Sequence, residues 1–163
     1  MCKSKIIAMM ALIFFAMGIL LVGDVVAGER GKFGARWVVY GTTFHTLKVP
    51  DVEDHAILAY EAKGIIFTEK WGAGLGYETG TLDLLKGEGT CQGYTQYTFP
   101  DGSTYTIKWE CNNKGKGSIW EGTWTYIKGT GKFEGIQGGG TWKSYDMGPG
   151  QWYSDGEGEY TLP

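Results

Sequence analysis

The chain is short of the side chains from which most active sites are built. Among its 163 residues are only two histidines, three cysteines and four prolines, and 15 basic against 18 acidic side chains leave a formal charge of −3. His45 and His55 have no Ser or Cys at a spacing that pairs a nucleophile with a base, so both read as strand-end or surface residues. The absence of any Lys/Arg cluster excludes a nucleic-acid surface. Neither histidine stands at a zinc-ligand spacing from a cysteine. Asp155, Glu157 and Glu159 alternate along one strand, which spreads carboxylates about 7 Å apart instead of curling them around calcium. They read as a solvated outer face. The glycine-rich strings at 72–76 and 129–132 lack the spacing and the strand-to-helix context of a phosphate loop, and read as turns. No metal and no cofactor is therefore expected.

Only one long apolar run is present. Lys3 and Lys5 precede it, it extends over residues 6–22, and Val25-Val26-Ala27 follows. A charged start, an apolar middle and small residues before a break describe a secretory signal peptide cut after Ala27; a run of about 17 residues used as an uncleaved anchor is the alternative. This division gives a signal at 1–27 and one domain at 28–163, secreted or periplasmic, with no membrane attachment after the signal is removed. Cys2 leaves with the signal, so Cys91 and Cys111 remain as an even pair in an oxidising compartment.

What the chain has in abundance is glycine (28), tyrosine (10) and tryptophan (7), a composition of turns and strands. The clearest segment is 91–111. Pro100-Asp101-Gly102 has the residues of a type I turn followed by a left-handed glycine, closed by Phe99 and Ser103. Counting outward sets Tyr97 opposite Tyr105, Thr95 opposite Ile107, Gly93 opposite Trp109 and Cys91 opposite Cys111, all on one face. A Cys91–Cys111 disulfide is the expected state, with two separate buried thiols as the alternative.

Strands are predicted at 36–48, 55–68, 79–86, 89–99, 103–112, 117–130, 138–146 and 151–162, separated by Gly-, Pro- and Asn-rich turns. Strands with one apolar and one wet face must roll up or pair, and about eight of them close into a small barrel without edges. The predicted fold is thus all-β, a single antiparallel up-and-down barrel. Tyr97, Tyr105, Trp109, Trp120, Trp124, Tyr126, Trp152 and Tyr160 fall on the inner face and are the candidate cavity-lining, ligand-binding residues. An eight-stranded barrel is either filled by such side chains or holds one small ligand, and the sequence leaves both open. Glu61 lies in an otherwise apolar strand, either buried with a raised pKa or, as expected here, facing water beside Lys63.

The string Tyr126-Ile-Lys-Gly129-Thr130-Gly131-Lys132-Phe133-Glu134-Gly135-Ile136-Gln-Gly138-Gly-Gly140-Thr141 resembles the strand, tight turn, strand segment of the allene oxide cyclase and dirigent barrel superfamily. The likeness covers about 87–141 and is closest to secreted bacterial proteins with an allene-oxide-cyclase-like, calycin-like barrel, which share the Cys91, Asp101-Gly102 and Trp109 pattern. It implies the barrel, with an interior able to take an apolar ligand. The plant cyclases' substrate-contacting residues match no positions here, so the expectation is a barrel binding a small hydrophobic molecule, more a binder than an enzyme. The alternatives are an isomerase or cyclase of the allene oxide type, marked by a polar cluster pointing into a cavity, and an interaction protein forming homo-oligomers.

Overall fold

The backbone N–H and C=O groups along a strand are satisfied when it has a neighbour on both edges. In the computed structural model, which describes residues 28–163, every strand pairs with the next and the last returns to the first. The strands are β1 (Glu29–Lys48), β2 (His55–Thr68), β3 (Gly72–Leu85), β4 (Glu88–Thr98), β5 (Thr104–Asn112), β6 (Trp120–Thr130), β7 (Gln137–Gly148) and β8 (Gln151–Leu162). A 3-10 turn, Gly131–Phe133, lies between β6 and β7. All pairings are antiparallel, and the ring closes through β1 and β8, from Glu29 opposite Leu162 to Tyr40 opposite Gln151. The fold is the all-β, eight-stranded, antiparallel up-and-down barrel expected from the sequence. The expected signal peptide at 1–27 lies outside the described residues.

The β4–β5 hairpin has the register its turn dictates. Cys91 faces Cys111, Gly93 faces Trp109, Thr95 faces Ile107 and Tyr97 faces Tyr105. Phe99 N–H donates to the Ser103 carbonyl (3.0 Å), and Gly102, at φ 81°, donates back to Phe99 (2.9 Å). Cys91 and Cys111 are disulfide-bonded.

Two strands start well before their predicted positions. β3 begins at Gly72 rather than 79 because Gly74 and Gly76 are not turn residues but inward-facing gaps. A Cβ at Gly76 would overlap the ring of Trp37, which occupies that space. β1 begins at Glu29 rather than 36, since residues 29–40 supply the seam that closes the ring on β8. Past a bulge between Gly41 and Thr43, β1 continues as an arm paired with β2 alone and leaves the barrel wall as a lip.

The two ends of the barrel are closed differently. At one, the 3-10 turn tucks Phe133 into the interior, where it meets Phe99, Tyr105 and Trp71 at ring-centroid distances of 5.0, 5.0 and 4.9 Å. Tyr160 packs on Trp71 at 4.9 Å. Phe133 is fully buried, and Ile136 nearly so, making the 129–136 segment a plug. The other end, ringed by the lip, the β3–β4 and β7–β8 turns and the 113–119 loop, stays open.

Candidate functional site

Between plug and mouth lies a cavity of about 270 Å³. Its wall is mostly aromatic: Trp37 from β1, Tyr60 from β2, Tyr97 from β4, Trp109 from β5, Trp124 from β6 and Trp152 from β8 all border it. Of the eight residues singled out from the sequence, Tyr97, Tyr105, Trp109, Trp120, Trp124, Tyr126 and Trp152 line this chamber. Tyr160 also points inward but belongs to the plug, where its hydroxyl donates to Glu29 (2.6 Å). The lining also includes Phe44 on the lip, its ring stacked on Tyr60 at 6.2 Å.

A carboxyl group stands deep in this apolar wall. Glu78 of β3 is buried and borders the cavity. Tyr60 donates its hydroxyl to Glu78 Oε1 (2.8 Å), and Thr95 donates to Oε2 (2.8 Å). Trp109 Nε1 in turn donates to Thr95 Oγ1 (2.9 Å), which fixes the threonine proton toward the carboxylate. Trp37 Nε1 is near enough to favour the charged form but outside hydrogen-bonding geometry. Burial dominates and raises the Glu78 pKa above the usual carboxylate value, against these donors. The same burial, and then the nearness of Glu78, keeps Tyr60 and Tyr97 protonated far above the ordinary tyrosine range.

Three buried polar atoms among the described residues have no partner: Trp37 Nε1, Tyr105 Oη and Tyr126 Oη. All three residues border the chamber. An unpaired buried donor or acceptor costs about 1–3 kcal/mol, so native proteins keep few of them without a reason. The lining holds a second carboxylate, Asp146, toward the mouth, and no Lys, Arg or His.

Glu78 was missed from the sequence because its strand was expected to start one residue later. The signal is nonetheless there: in Gly74-Leu-Gly76-Tyr-Glu78-Thr-Gly80, period two places the carboxylate on the glycine face. Glu61 is exposed and faces outward, as the sequence suggested. His45 is exposed; His55 ends the lip, its Nδ1 on Asp51 Oδ1 (2.7 Å) and its Nε2 on Asp83 Oδ1 (2.8 Å). Hydrogen bonds to Asp83 and then Asp51, whose carboxylates accept from the ring, raise its pKa. Asp155 lies on the outer face, paired with Arg36 at 2.7 Å. No group of side chains with the geometry of a metal site occurs among the described residues.

No protein-family model and no curated protein matches the chain. Solved structures do. The pterocarpan synthase dirigent protein GePTS1 superposes with a TM-score of 0.53 at 15% identity, covering 86% of this chain and 92% of its own. A second pterocarpan synthase dirigent protein, PsPTS1, gives 0.48 at 15% identity, over 84% of this chain and 96% of its own. The chain has the dirigent-type antiparallel barrel, the fold that the 126–141 segment resembles.

Proposed function

We infer that the chamber binds one small, ring-bearing, largely apolar molecule. The observation that carries this reading is the chamber itself: about 270 Å³ of aromatic-walled space, open at one end, with three unpartnered buried polar atoms on its wall. An apolar cavity of about 150 Å³ takes up benzene, so one or two rings fit here, a little below the volume typical of ligand pockets. The disulfide suits an oxidising compartment, which supports secretion or a periplasmic home.

Native and then denaturing mass spectrometry of the protein purified from the extracytoplasmic fraction of its own host tests both points. A non-covalent adduct lost on denaturation is expected, with a denatured mass that starts at Gly28. A protein uniformly free of adducts, and unable to take up any small aromatic compound, would end the binding reading. Mass that includes residues 1–27 would end the reading of a cleaved signal.

A second reading, an isomerase or cyclase, draws support from the Glu78–Tyr60 pair, a polar cluster that points into a real cavity. The carboxyl, its pKa raised by burial, is the acidic group deep in the wall placed to take and return a proton. Homo-oligomers draw support from Val38, Ile65, Phe67 and Leu75, exposed on adjoining rows of the outer face of β1–β3.

A further inference from the structure

The plugged end shows how this molecule handles an ammonium near aromatic rings. Lys132 sits over Phe99 and Phe133 (4.9 and 5.1 Å to the centroids) and pairs with Asp101 at 2.9 Å. Lys70 sits over Tyr160 (5.2 Å) and pairs with Glu29. Each arrangement has three parts: an aromatic face, a carboxylate and an ammonium. The chamber repeats two of them, with Glu78 among Trp37, Tyr60, Tyr97 and Trp109, and its lining supplies no cation.

We propose that the occupant is cationic: a protonated amine carried on one or two rings, its nitrogen on Glu78 and its hydrocarbon against the aromatic wall. The proposal rests on the binding reading above and narrows it. The donor pattern supports it. Tyr60 and Thr95 give their protons to the carboxylate, Thr95 being fixed as donor by Trp109, and Trp37 approaches with a group that can only donate. A carboxylate offers about four acceptor positions. The donors use two, which leaves room for an ammonium N–H. Buried charges are paired, and an unpaired one is costly. Aromatic faces attract a desolvated cation through their ring quadrupoles. An anionic occupant would meet Glu78 and Asp146 with no counter-charge, and a neutral one would leave Glu78 with its two hydrogen-bond donors but no counter-charge.

The test compares three probes that share a phenyl ring and differ in charge, 2-phenylethylamine, 2-phenylethanol and 3-phenylpropanoate, by calorimetric titration at pH 7.5. The amine is expected to bind at least tenfold more tightly than the alcohol, and the acid most weakly. Glu78→Gln should bring the amine down to the alcohol's affinity while the alcohol stays within about twofold, which also reports that the variant folds. A second measurement needs no variant. Amine affinity relative to the alcohol should rise as the pH is raised through the ionisation of Glu78, which burial moves above the ordinary carboxylate range, because Tyr60 and Tyr97, its titratable neighbours, stay protonated. Alcohol equal to or tighter than amine, or an amine preference that survives Glu78→Gln, overturns the cation and leaves the pocket standing. Failure of all three probes to bind folded protein overturns both.

Discussion

The two ends of the barrel are made from the same kinds of side chain and behave differently. At the plug, aromatic rings meet one another edge to face at about 5 Å, and lysines with their own carboxylates cover them from outside. Across the chamber toward the mouth, rings leave a gap, three polar atoms go unpaired, and a carboxylate stands without a cation. Contacts satisfied within the chain give stability; contacts left unsatisfied are what a ligand can use. The difference comes from one short segment. The 131–133 turn delivers a fully buried phenylalanine to one end, and among the described residues no loop delivers a fully buried side chain of that size to the other.

Removing the plug's central ring should therefore give the largest effect. Phe133→Ala is expected to cost about 4 kcal/mol in urea unfolding, the usual loss for a buried phenylalanine. Phe44→Ala, on the half-exposed lip, should cost only about 0.5 kcal/mol, the scale of a surface change. If both variants lose the same stability, the division between a structural and a functional end fails. Next in size is the disulfide at the mouth. Opening its loop of sequence separation 20 by Cys91→Ala with Cys111→Ala should cost about 3 kcal/mol on the chain-entropy account. An unchanged urea midpoint for this double variant would show that the mouth holds its shape without the bond.

How much of this was legible in the sequence depended on whether glycine marks a turn or a gap. In Pro100-Asp101-Gly102 it marks a turn, and the register from Tyr97 to Cys111 followed from counting. In Gly74-Leu-Gly76-Tyr-Glu78 it marks room for the Trp37 ring, a use that depends on a residue almost forty positions away and so carries no local signal. The same misreading moved the strand boundary and hid Glu78. The inward aromatic face was readable from alternation alone. What separates chamber from plug was not, because it depends on how far Phe133 reaches into the barrel.

The next expected effect is a pH dependence of unusual sign. Glu78 has a raised pKa in the folded chain, so the folded state binds its proton more tightly than the unfolded state. Its contribution to stability is fully present below the unfolded value near 4.5 and is lost as pH rises through the folded value. His55, also raised, acts in the same direction but over a window that opens near 6.5. Thermal melts from pH 4 to 8 should thus show stability falling with pH across the lower window, and Glu78→Gln should abolish that fall while leaving the His55 portion. A slope unchanged in the variant would mean that the carboxylate reaches water through the mouth and is not desolvated.

The smallest effect lies on the exposed rim and runs the other way. Glu121, at the start of β6, takes hydrogen bonds from Lys116 and then Lys143, which lower its pKa from 4.5 to about 2. A lowered folded pKa gives stability that is present above 4.5 and lost as pH falls through about 2. The triad is solvated, and such pairs are weakened by screening. Glu121→Gln should accordingly leave the melting temperature at pH 7 nearly unchanged and move the midpoint of acid unfolding to higher pH by a small amount that fades in 1 M salt. A shift larger than that of Glu78→Gln would place the chain's main electrostatic coupling on its surface, and the chamber's carboxylate would lose its claim to be the group held ready for a partner.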